Sequence, residues 1–299
     1  MSENRTPIPD PVQREVRQRC GFGCVFCGAP LYEYHHMDEN PKNNVPVNIT
    51  LLCGTHHPEA TNRLLTPEQI AHADHNPFNQ QHGVSSPYGL HFQGDSFDCV
   101  IGGNTFSSRL RDNDQATLAI AISVDDSDLI WFRIDRSGRL FLNANIFDEN
   151  NLPLLVIHEN ALAYRTATWD IEFKGRTLTV REAARKILFE IEFKPPGEVV
   201  IERARLLCNG VEILVRKSHV FIVNSQQLLV RCRSVNCDVG LQLGQNCRGL
   251  GAGFASNPEA ICRYHMPAAE VRQREQQALK SMEDMLQQFG IPIDPESPT

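Results

Sequence analysis

One stretch near the start of the chain, residues 24–57, restricts the folds open to it, because this stretch concentrates side chains that bind metal. A Cys-x-x-Cys pair, Cys24 and Cys27, is followed after 25 residues by a Cys-x-x-His pair, Cys53 and His56. Two thiolates on one tight turn suit two corners of a tetrahedral zinc site, and thiolate together with imidazole favours zinc over magnesium. The spacing therefore predicts a structural zinc ion, which a module of about 60 residues with few large apolar side chains needs for stability.

Two alternatives to this ligand set remain open in the sequence. Cys20 lies four residues before Cys24, so its thiol could replace the imidazole of His56 as the fourth ligand. The thiols could also be free and buried. Disulfides are not expected, because the opening residues MSENRTPIPD lack the apolar core of a signal peptide, which predicts a cytoplasmic protein with reduced thiols.

Composition indicates a globular protein with more than one domain. The chain has 299 residues with 41% hydrophobic content, and no apolar run approaches the roughly 20 residues that cross a bilayer, so no membrane association is expected. Its net charge of −7 is unusual for a protein that binds nucleic acid, because a basic excess normally supplies affinity for phosphates. The first 85 residues, with six Lys and Arg against nine Asp and Glu, are acidic too.

Changes in residue composition and hydrophobic pattern along the chain predict an α+β protein with five segments. Residues 1–75 form the zinc module, and the polar residues 76–90 form a linker. Short runs of β-branched, Leu and Phe residues, spaced by roughly 8–12 residues with turn signals, predict an all-β domain over 91–266, arranged as a sandwich, barrel or β-helix. Residues 267–290 have apolar positions at helical spacing and predict a C-terminal amphipathic helix, followed by the tail 291–299. This helix either packs on the β domain or forms a contact with a partner or a second copy of the chain.

Start signals predict two helices within the module. Asp10-Pro11 begins the first, which Gly21 ends. The residues 66–69, Thr-Pro-Glu-Gln, carry a capping-box pattern and predict a second helix that reaches about Ala73. Residues 31–36 are predicted to form a short strand between these helices.

Histidine and asparagine residues recur between the zinc pairs in a particular order. The residues that carry this order are His35-His36, Asn48 and Leu52-Cys53-Gly54-Thr55-His56-His57. In this order, and bracketed by the zinc pairs, they resemble the HNH endonuclease family, whose core is the ββα-metal fold. The resemblance covers about residues 20–65, less than a quarter of the chain.

The resemblance implies a metal-dependent endonuclease that hydrolyses phosphodiester bonds, with DNA as the expected substrate. His36 corresponds to the general base, and Asn48 to the residue that fixes the adjoining loop and orients that base. His35 and His57 correspond to ligands of a catalytic divalent ion. These residue types suit the reaction, because imidazole can accept a proton near neutral pH and a divalent ion supplies positive charge at the scissile phosphate.

Two departures from the family pattern concern the metal sites. The family commonly has Cys at the position of His56, so the structural zinc here would have three thiolates and one imidazole. A third ligand for the catalytic ion would fall at Thr61, one helical turn past His57, where threonine is a poor ligand and Asn62 is a candidate substitute. Two protein ligands completed by water suit Mg²⁺, with Mn²⁺ or Ni²⁺ as other divalent candidates.

The larger β domain carries no recognised motif, and its expected role is recognition or regulation. It could bind nucleic acid, an activating ligand or a protein partner. By analogy alone, a small HNH module joined to a sensor domain suggests a prokaryotic defence or mobile-element effector. The alternative is a non-catalytic scaffold in which zinc stabilises the module and the β domain binds a partner or ligand.

A second group of cysteines lies towards the end of the chain. Cys232, Cys237, Cys247 and Cys262, with His265, could form another zinc site. Their spacings match no common zinc pattern, so ordinary thiols are the alternative.

Overall fold

The computed structural model describes most of the chain: residues 7–110, 116–125, 127–164, 169–244 and 251–258, together with Lys280. The C-terminal helix expected at 267–290 lies outside the described residues except for Lys280, and the tail 291–299 lies wholly outside them. Three members of the second cysteine group, Cys247, Cys262 and His265, also fall outside them.

The first 82 residues contain the α-helices of the described chain and a two-stranded sheet. The helices are α1 (Asp10–Arg19), α2 (His56–Thr61), α3 (Pro67–His75) and α4 (Phe78–His82). Strands β1 (Glu33–His36) and β2 (Ile49–Leu52) pair antiparallel, and one turn of 3-10 helix (Pro46–Asn48) leads into β2. The chain therefore passes from strand to strand to helix between residues 33 and 61.

A small core and one well-formed cap hold this module together. Val16 of α1, Ile49 and Leu51 of β2 and Ile70 of α3 are buried in one apolar cluster with the zinc-pair cysteines. The capping box predicted at residues 66–69 is present: the Thr66 hydroxyl accepts a hydrogen bond from the backbone N–H of Gln69, and the side-chain oxygen of Gln69 accepts one from the backbone N–H of Thr66.

The rest of the described chain is built from strands, which confirms the prediction of a large β region. Eighteen of them follow α4: β3 (Leu90–His91), β4 (Ser96–Ile101), β5 (Asn104–Arg109), β6 (Thr117–Val124), β7 (Ser127–Ile134), β8 (Arg139–Phe147), β9 (Pro153–His158), β10 (Ala161–Tyr164), β11 (Asp170–Lys174), β12 (Thr177–Ala183), β13 (Lys186–Lys194), β14 (Glu198–Cys208), β15 (Val211–Arg216), β16 (His219–Ile222), β17 (Gln227–Leu229), β18 (Arg233–Val235), β19 (Val239–Leu243) and β20 (Ala252–Ser256).

These strands form two sheets that share one hydrophobic core. The first sheet has the order β10-β9-β8-β7-β6-β19-β20, with β3 beside β8. The second runs from β11 to β17 in sequence order, with β4 beside β14, β5 beside β4 and β18 beside β5. Phe132 of the first sheet and Phe97, Phe106 and Phe189 of the second are buried in this core. Side chains of both sheets therefore contribute to the same core.

A buried ion pair joins the module to the β domain. Arg17 of α1 is 4% exposed and donates two hydrogen bonds of 2.8 Å to the two carboxylate oxygens of Asp170 in β11. The same guanidinium donates to the hydroxyl of Tyr34 in β1 at 2.8 Å and to Glu172 at 3.3 Å, and Arg181 also contacts both carboxylates. Burial alone would lower the pKa of Arg17, but the hydrogen bond with Asp170 and the charge interactions with Tyr34, Asp170 and Tyr32 together outweigh it and raise that pKa, so the group stays charged.

The segment predicted as a linker, residues 76–90, contains α4 and makes hydrogen bonds in both directions. Asn79, which is 1% exposed, donates to the carbonyl of Gly21 at 2.8 Å. The hydroxyl of Ser86 donates to the carbonyl of Cys27, while the N–H of Ser85 donates to the carbonyl of Leu162 in β10 at 2.9 Å. This segment therefore makes hydrogen bonds to backbone carbonyls of both the module and the β domain. Among the residues that the structure describes, no helix combines the length and apolar character needed to span a membrane.

Candidate metal centre and histidine cluster

A turn with unusual backbone angles places the first pair of cysteines. Cys24 and Cys27 lie on a turn in which the N–H of Gly28 donates to the carbonyl of Cys24 at 2.7 Å. Gly28 has a φ of +73°, and a Cβ added there would lie 2.2 Å from the side-chain oxygen of Asn79. Glycine is therefore required here both for its backbone conformation and for the close approach of α4.

Three thiols and one imidazole meet at this turn. The Nδ1 atom of His56 lies 3.4 Å from Sγ of Cys24 and 3.2 Å from Sγ of Cys53, and the Sγ atoms of Cys27 and Cys53 are 3.7 Å apart. Four tetrahedral ligands with Zn–S bonds of about 2.3 Å place sulfur atoms roughly 3.8 Å apart, so these separations fit a zinc ion. Among the described residues this is the one group of three or more Cys, His, Asp or Glu whose ligand atoms all lie within 4.8 Å of one another. The four residues predicted from the spacing can therefore hold a metal ion such as zinc.

Cys20 lies outside this group. Its fully buried thiol contacts the hydroxyl of Thr50 at 3.8 Å and a carboxylate oxygen of Asp74 at 3.7 Å. Burial raises the pKa of Cys20 to about 12, so the thiol keeps its proton. His56 rather than Cys20 completes the group.

The thiols of the metal group differ in how readily they lose a proton. Burial raises the pKa of Cys24 to about 12. Burial acts in the same direction on Cys53, but hydrogen bonds from the N–H groups of His56 and Thr55 and from the His56 ring outweigh it and lower the pKa of Cys53 to about 7. Metal binding requires thiolates, so an ion at this group would displace the thiol protons.

An aromatic ring that the sequence analysis did not single out orients His56. The ring of Phe26 stacks on the imidazole with centroids 5.0 Å apart and an interplanar angle of 24°. Phe26 lies between the two cysteines of the first pair, so the turn that positions the thiols also positions the stacking ring.

His35 and His57 form a second cluster beside the metal group. His57 follows His56 directly in α2, and its ring meets that of His35 edge to face, with centroids 5.3 Å apart. Glu33 lies on the same face of β1 as His35, and its Oε2 is 3.8 Å from Nδ1 of His57. Burial, followed by the neighbouring imidazoles of His57 and His36, lowers the pKa of His35, which favours the neutral form that binds cations.

His36 occupies the opposite face of β1. The residue is 6% exposed, and Nε2 of its ring lies 3.0 Å from Oδ1 of Asn44. Adjacent residues of a strand point to opposite faces, which explains why His35 and His36 have different neighbours. The sequence analysis did not single out Asn44.

Asn48 holds the loop between the two strands. Its side-chain nitrogen donates to Asp38 at 2.8 Å and to the carbonyl of Asn43 at 3.1 Å, and its Oδ1 accepts from the backbone N–H of Asp38 at 3.1 Å. Hydrogen bonds from Asn43 and then Asn48 lower the pKa of the exposed Asp38 carboxyl. Asn48 therefore binds the loop that follows His36, while the His36 ring itself is bonded to Asn44.

The two residues considered for a further metal ligand lie at the end of α2. Thr61 donates its hydroxyl hydrogen to the carbonyl of His57 at 2.9 Å. Asn62 is exposed and follows the last residue of the helix. Of the second cysteine group, Cys237 is buried and Cys232 is partly exposed.

No protein-family model matches the sequence, and neither a curated protein nor a solved structure is significantly similar to it. The function has to be inferred from the residues and their geometry.

Proposed function

We propose that the N-terminal module is an HNH-type, metal-dependent endonuclease that hydrolyses phosphodiester bonds, with DNA as the expected substrate. The observation that carries this proposal is the meeting of His35 from β1 and His57 from α2, whose ring centroids are 5.3 Å apart, directly beside the group of three thiols and an imidazole. The strand, strand, helix order and the position of Asn48 agree with the resemblance in sequence.

The metal group supports the second cluster through the covalent chain. His56 faces the thiols with its Nδ1 atom, and His57 is the next residue of the same helix. Zinc at Cys24, Cys27, Cys53 and His56 would therefore fix the start of α2 and, with it, the position of the His57 ring.

The second cluster has donors that fit a divalent cation. Two partly buried imidazoles meet edge to face, and the carboxylate of Glu33 lies close to one of them. Held by His35 and His57, with Asn62 as a candidate further ligand, Mg²⁺ or another divalent ion such as Mn²⁺ or Ni²⁺ would supply positive charge at the scissile phosphate.

His36 is the proposed general base. As the oxygen of a water molecule attacks the phosphorus, one proton of that water passes to the imidazole and the P–O bond to the leaving group breaks. The leaving oxygen takes a proton from solvent. Asn48 supports this step by holding the loop that follows His36.

The β domain is proposed to control where or when the module cuts. The module has no basic excess, so attraction to DNA has to come from the bound ions, from the β domain or from another molecule. An activating ligand or a protein partner acting through the β domain would meet this need, as would a second copy of the chain. Such control suits a prokaryotic defence or mobile-element effector in the cytoplasm, by analogy.

A specific observation favours a second candidate function, a non-catalytic zinc-stabilised scaffold. The side chains of Glu33 and Glu39 are 67% and 63% exposed, and both influence the histidine cluster. Negative charge there repels phosphate groups unless a cation is bound. On this alternative the β domain binds a partner or ligand and no cleavage occurs.

One experiment separates these functions. Purified full-length protein is incubated with plasmid DNA and Mg²⁺, Mn²⁺ or Ni²⁺, with and without cell extract, and nicking is followed on gels. We expect cleavage by the wild type, no cleavage by His36→Ala with unchanged zinc content, and normal cleavage by His72→Ala, which removes an exposed histidine of α3. Equal cleavage by His36→Ala would contradict the assignment of the base, and no cleavage under any condition would favour the scaffold.

A further inference from the structure

We infer that Asn44 is a positioning residue that holds His36 in a single tautomer, with the proton on Nε2 and the lone pair on Nδ1. The effect of this tautomer on catalysis rests on the proposed function, whereas the tautomer itself depends only on the folded structure. Asn44 lies in the loop between β1 and β2 and is named by neither the zinc spacing nor the HNH pattern.

The hydrogen bond of the His36 ring determines where its proton lies. Nε2 of His36 is 3.0 Å from Oδ1 of Asn44, and an amide oxygen can only accept a hydrogen bond. Nε2 must therefore carry the hydrogen. A neutral imidazole has one ring proton, so Nδ1 is left as the atom that can accept another.

The orientation of the Asn44 amide is supported from its other end. Its Nδ2 donates to the backbone carbonyl of Pro7 at 3.5 Å. An exchange of the amide oxygen and nitrogen would place two acceptors, the amide oxygen and the Pro7 carbonyl, against each other. The amide therefore presents its oxygen, not its nitrogen, to His36.

The loop around Asn44 is held by a chain of asparagine contacts. The N–H of Asn44 donates to the carbonyl of Lys42 at 3.1 Å. Its neighbour Asn43 donates from its side chain to Asp38 at 2.7 Å and accepts from Asn48 through its carbonyl at 3.1 Å. Asn48 therefore acts on His36 indirectly, because it fixes the loop that carries Asn44, and Asn44 contacts the ring.

This arrangement leaves one route for proton transfer. His36 is 6% exposed and its Nε2 is occupied, so an attacking water has to approach Nδ1. Loss of the Asn44 acceptor would let the proton move to Nδ1 in part of the molecules, and the ring in those molecules could not accept a proton at that atom.

The tautomer is measured directly on the full-length, zinc-containing protein. Long-range ¹H–¹⁵N spectra of ¹⁵N-histidine-labelled protein are recorded at alkaline pH, where imidazoles are neutral, and His36→Gln identifies the His36 signals. We expect the Nε2–H form in the wild type and in Asn44→Asp, which keeps an acceptor oxygen. Asn44→Leu, which removes the acceptor but keeps the branched shape and the number of side-chain heavy atoms, should show a mixture of the two tautomers. Asn43→Ala disturbs the same loop without touching the ring and should retain the Nε2–H form.

Two outcomes would overturn the inference at the level of structure. One is an Nδ1–H tautomer for His36 in the wild type. The other is the same change of tautomer in Asn43→Ala as in Asn44→Leu, because the loop as a whole and not the Asn44 acceptor would then set the proton position.

Cleavage kinetics with plasmid DNA test whether the tautomer set by Asn44 affects catalysis. Asn44→Leu should lower kcat by roughly 10²-fold with little change in KM, and Asn44→Asp should recover most of that loss. A shifted tautomer in Asn44→Leu with unchanged kcat would show that Asn44 does not act on catalysis. If no variant and no wild-type protein cleaves while the tautomers behave as expected, the proposed function fails and the assignment of the His36 proton stands.

Discussion

The N-terminal module and the β domain reach stability by different means. The module has a small apolar core around Val16, Ile49 and Ile70, and three thiols and one imidazole lie within bonding range of a single ion. The β domain buries side chains from two sheets in one much larger core and has no such group among its described residues. A core as small as the module's supplies little net stability, whereas a metal that binds only the folded state adds its binding free energy to folding. The comparison teaches that one chain can combine a small core that includes a group able to hold a metal ion with a second region that relies on apolar burial.

Metal removal should produce the largest difference in stability between the two regions. Chelation, or the Cys27→Ser variant, removes a binding free energy on the order of 10 kcal/mol, which is as large as the stability of a typical domain. We expect residues 10–75 to lose protection against amide hydrogen exchange while strands β6 to β16 keep theirs, as measured by mass spectrometry. The matched control is Cys232→Ser, which should leave both regions protected. Full protection of residues 10–75 without metal would show that the apolar core is sufficient.

The ion pair of Arg17 with Asp170 links the stability of the module to that of the β domain. Arg17→Met leaves the carboxylate of Asp170 buried with only Arg181 beside it, so we expect a loss of about 3–5 kcal/mol in the free energy of unfolding, measured with urea. The exposed pair of Arg63 and Glu39 provides the comparison, since Arg63→Met should cost less than about 1 kcal/mol.

A double variant checks the cause of that loss. Arg17→Met combined with Asp170→Asn also removes the buried carboxylate that has lost its main partner, and it should recover part of the stability. If it is no more stable than Arg17→Met alone, packing and not charge accounts for the effect.

Acid should weaken the β domain through His219. Burial, and to a smaller extent the charge of Arg216, lowers the pKa of His219 from 6.5 to about 4 in the folded protein. Below about pH 6.5 His219 binds a proton in the unfolded chain but stays neutral in the folded protein. The free energy of unfolding therefore falls as the pH drops from about 6.5 towards 4, and it stops falling on this account below about pH 4, where His219 is protonated in both states. The full loss is roughly 3 kcal/mol, and urea unfolding of the β domain at several pH values measures it.

Two variants show whether His219 is the source. His219→Phe should reduce the dependence on pH between about 6.5 and 4, whereas His91→Phe, at an exposed position, should leave it unchanged. An unchanged dependence in His219→Phe would mean that other groups carry it.

Local signals account for the parts of the structure that could be predicted. The spacing of the Cys and His pairs predicted the four members of the metal group, because a turn of fixed length sets the separation of the thiols, but it left Cys20 open as an alternative to His56. The short strand predicted at residues 31–36 is present as β1 (Glu33–His36), and the alternation of a strand explains why His35 and His36 lie on opposite faces. The contacts that escaped prediction join residues without a shared pattern: Arg17 and Asp170 are 153 positions apart. The pairing of β4 with β14 and of β6 with β19 escaped for a related reason, because backbone hydrogen bonds have no side-chain signature.

The polar segment after α4 has a mechanical consequence. Ser85 exchanges hydrogen bonds with the backbone of Leu162 in β10, through its own N–H and through its hydroxyl. The next residue, Ser86, is bonded to the backbone carbonyls of Cys27 and Gly28. A single peptide unit therefore separates the edge of one sheet from the backbone of a metal-group cysteine. Any displacement of β10 must either break these hydrogen bonds or pull Cys27 along with it.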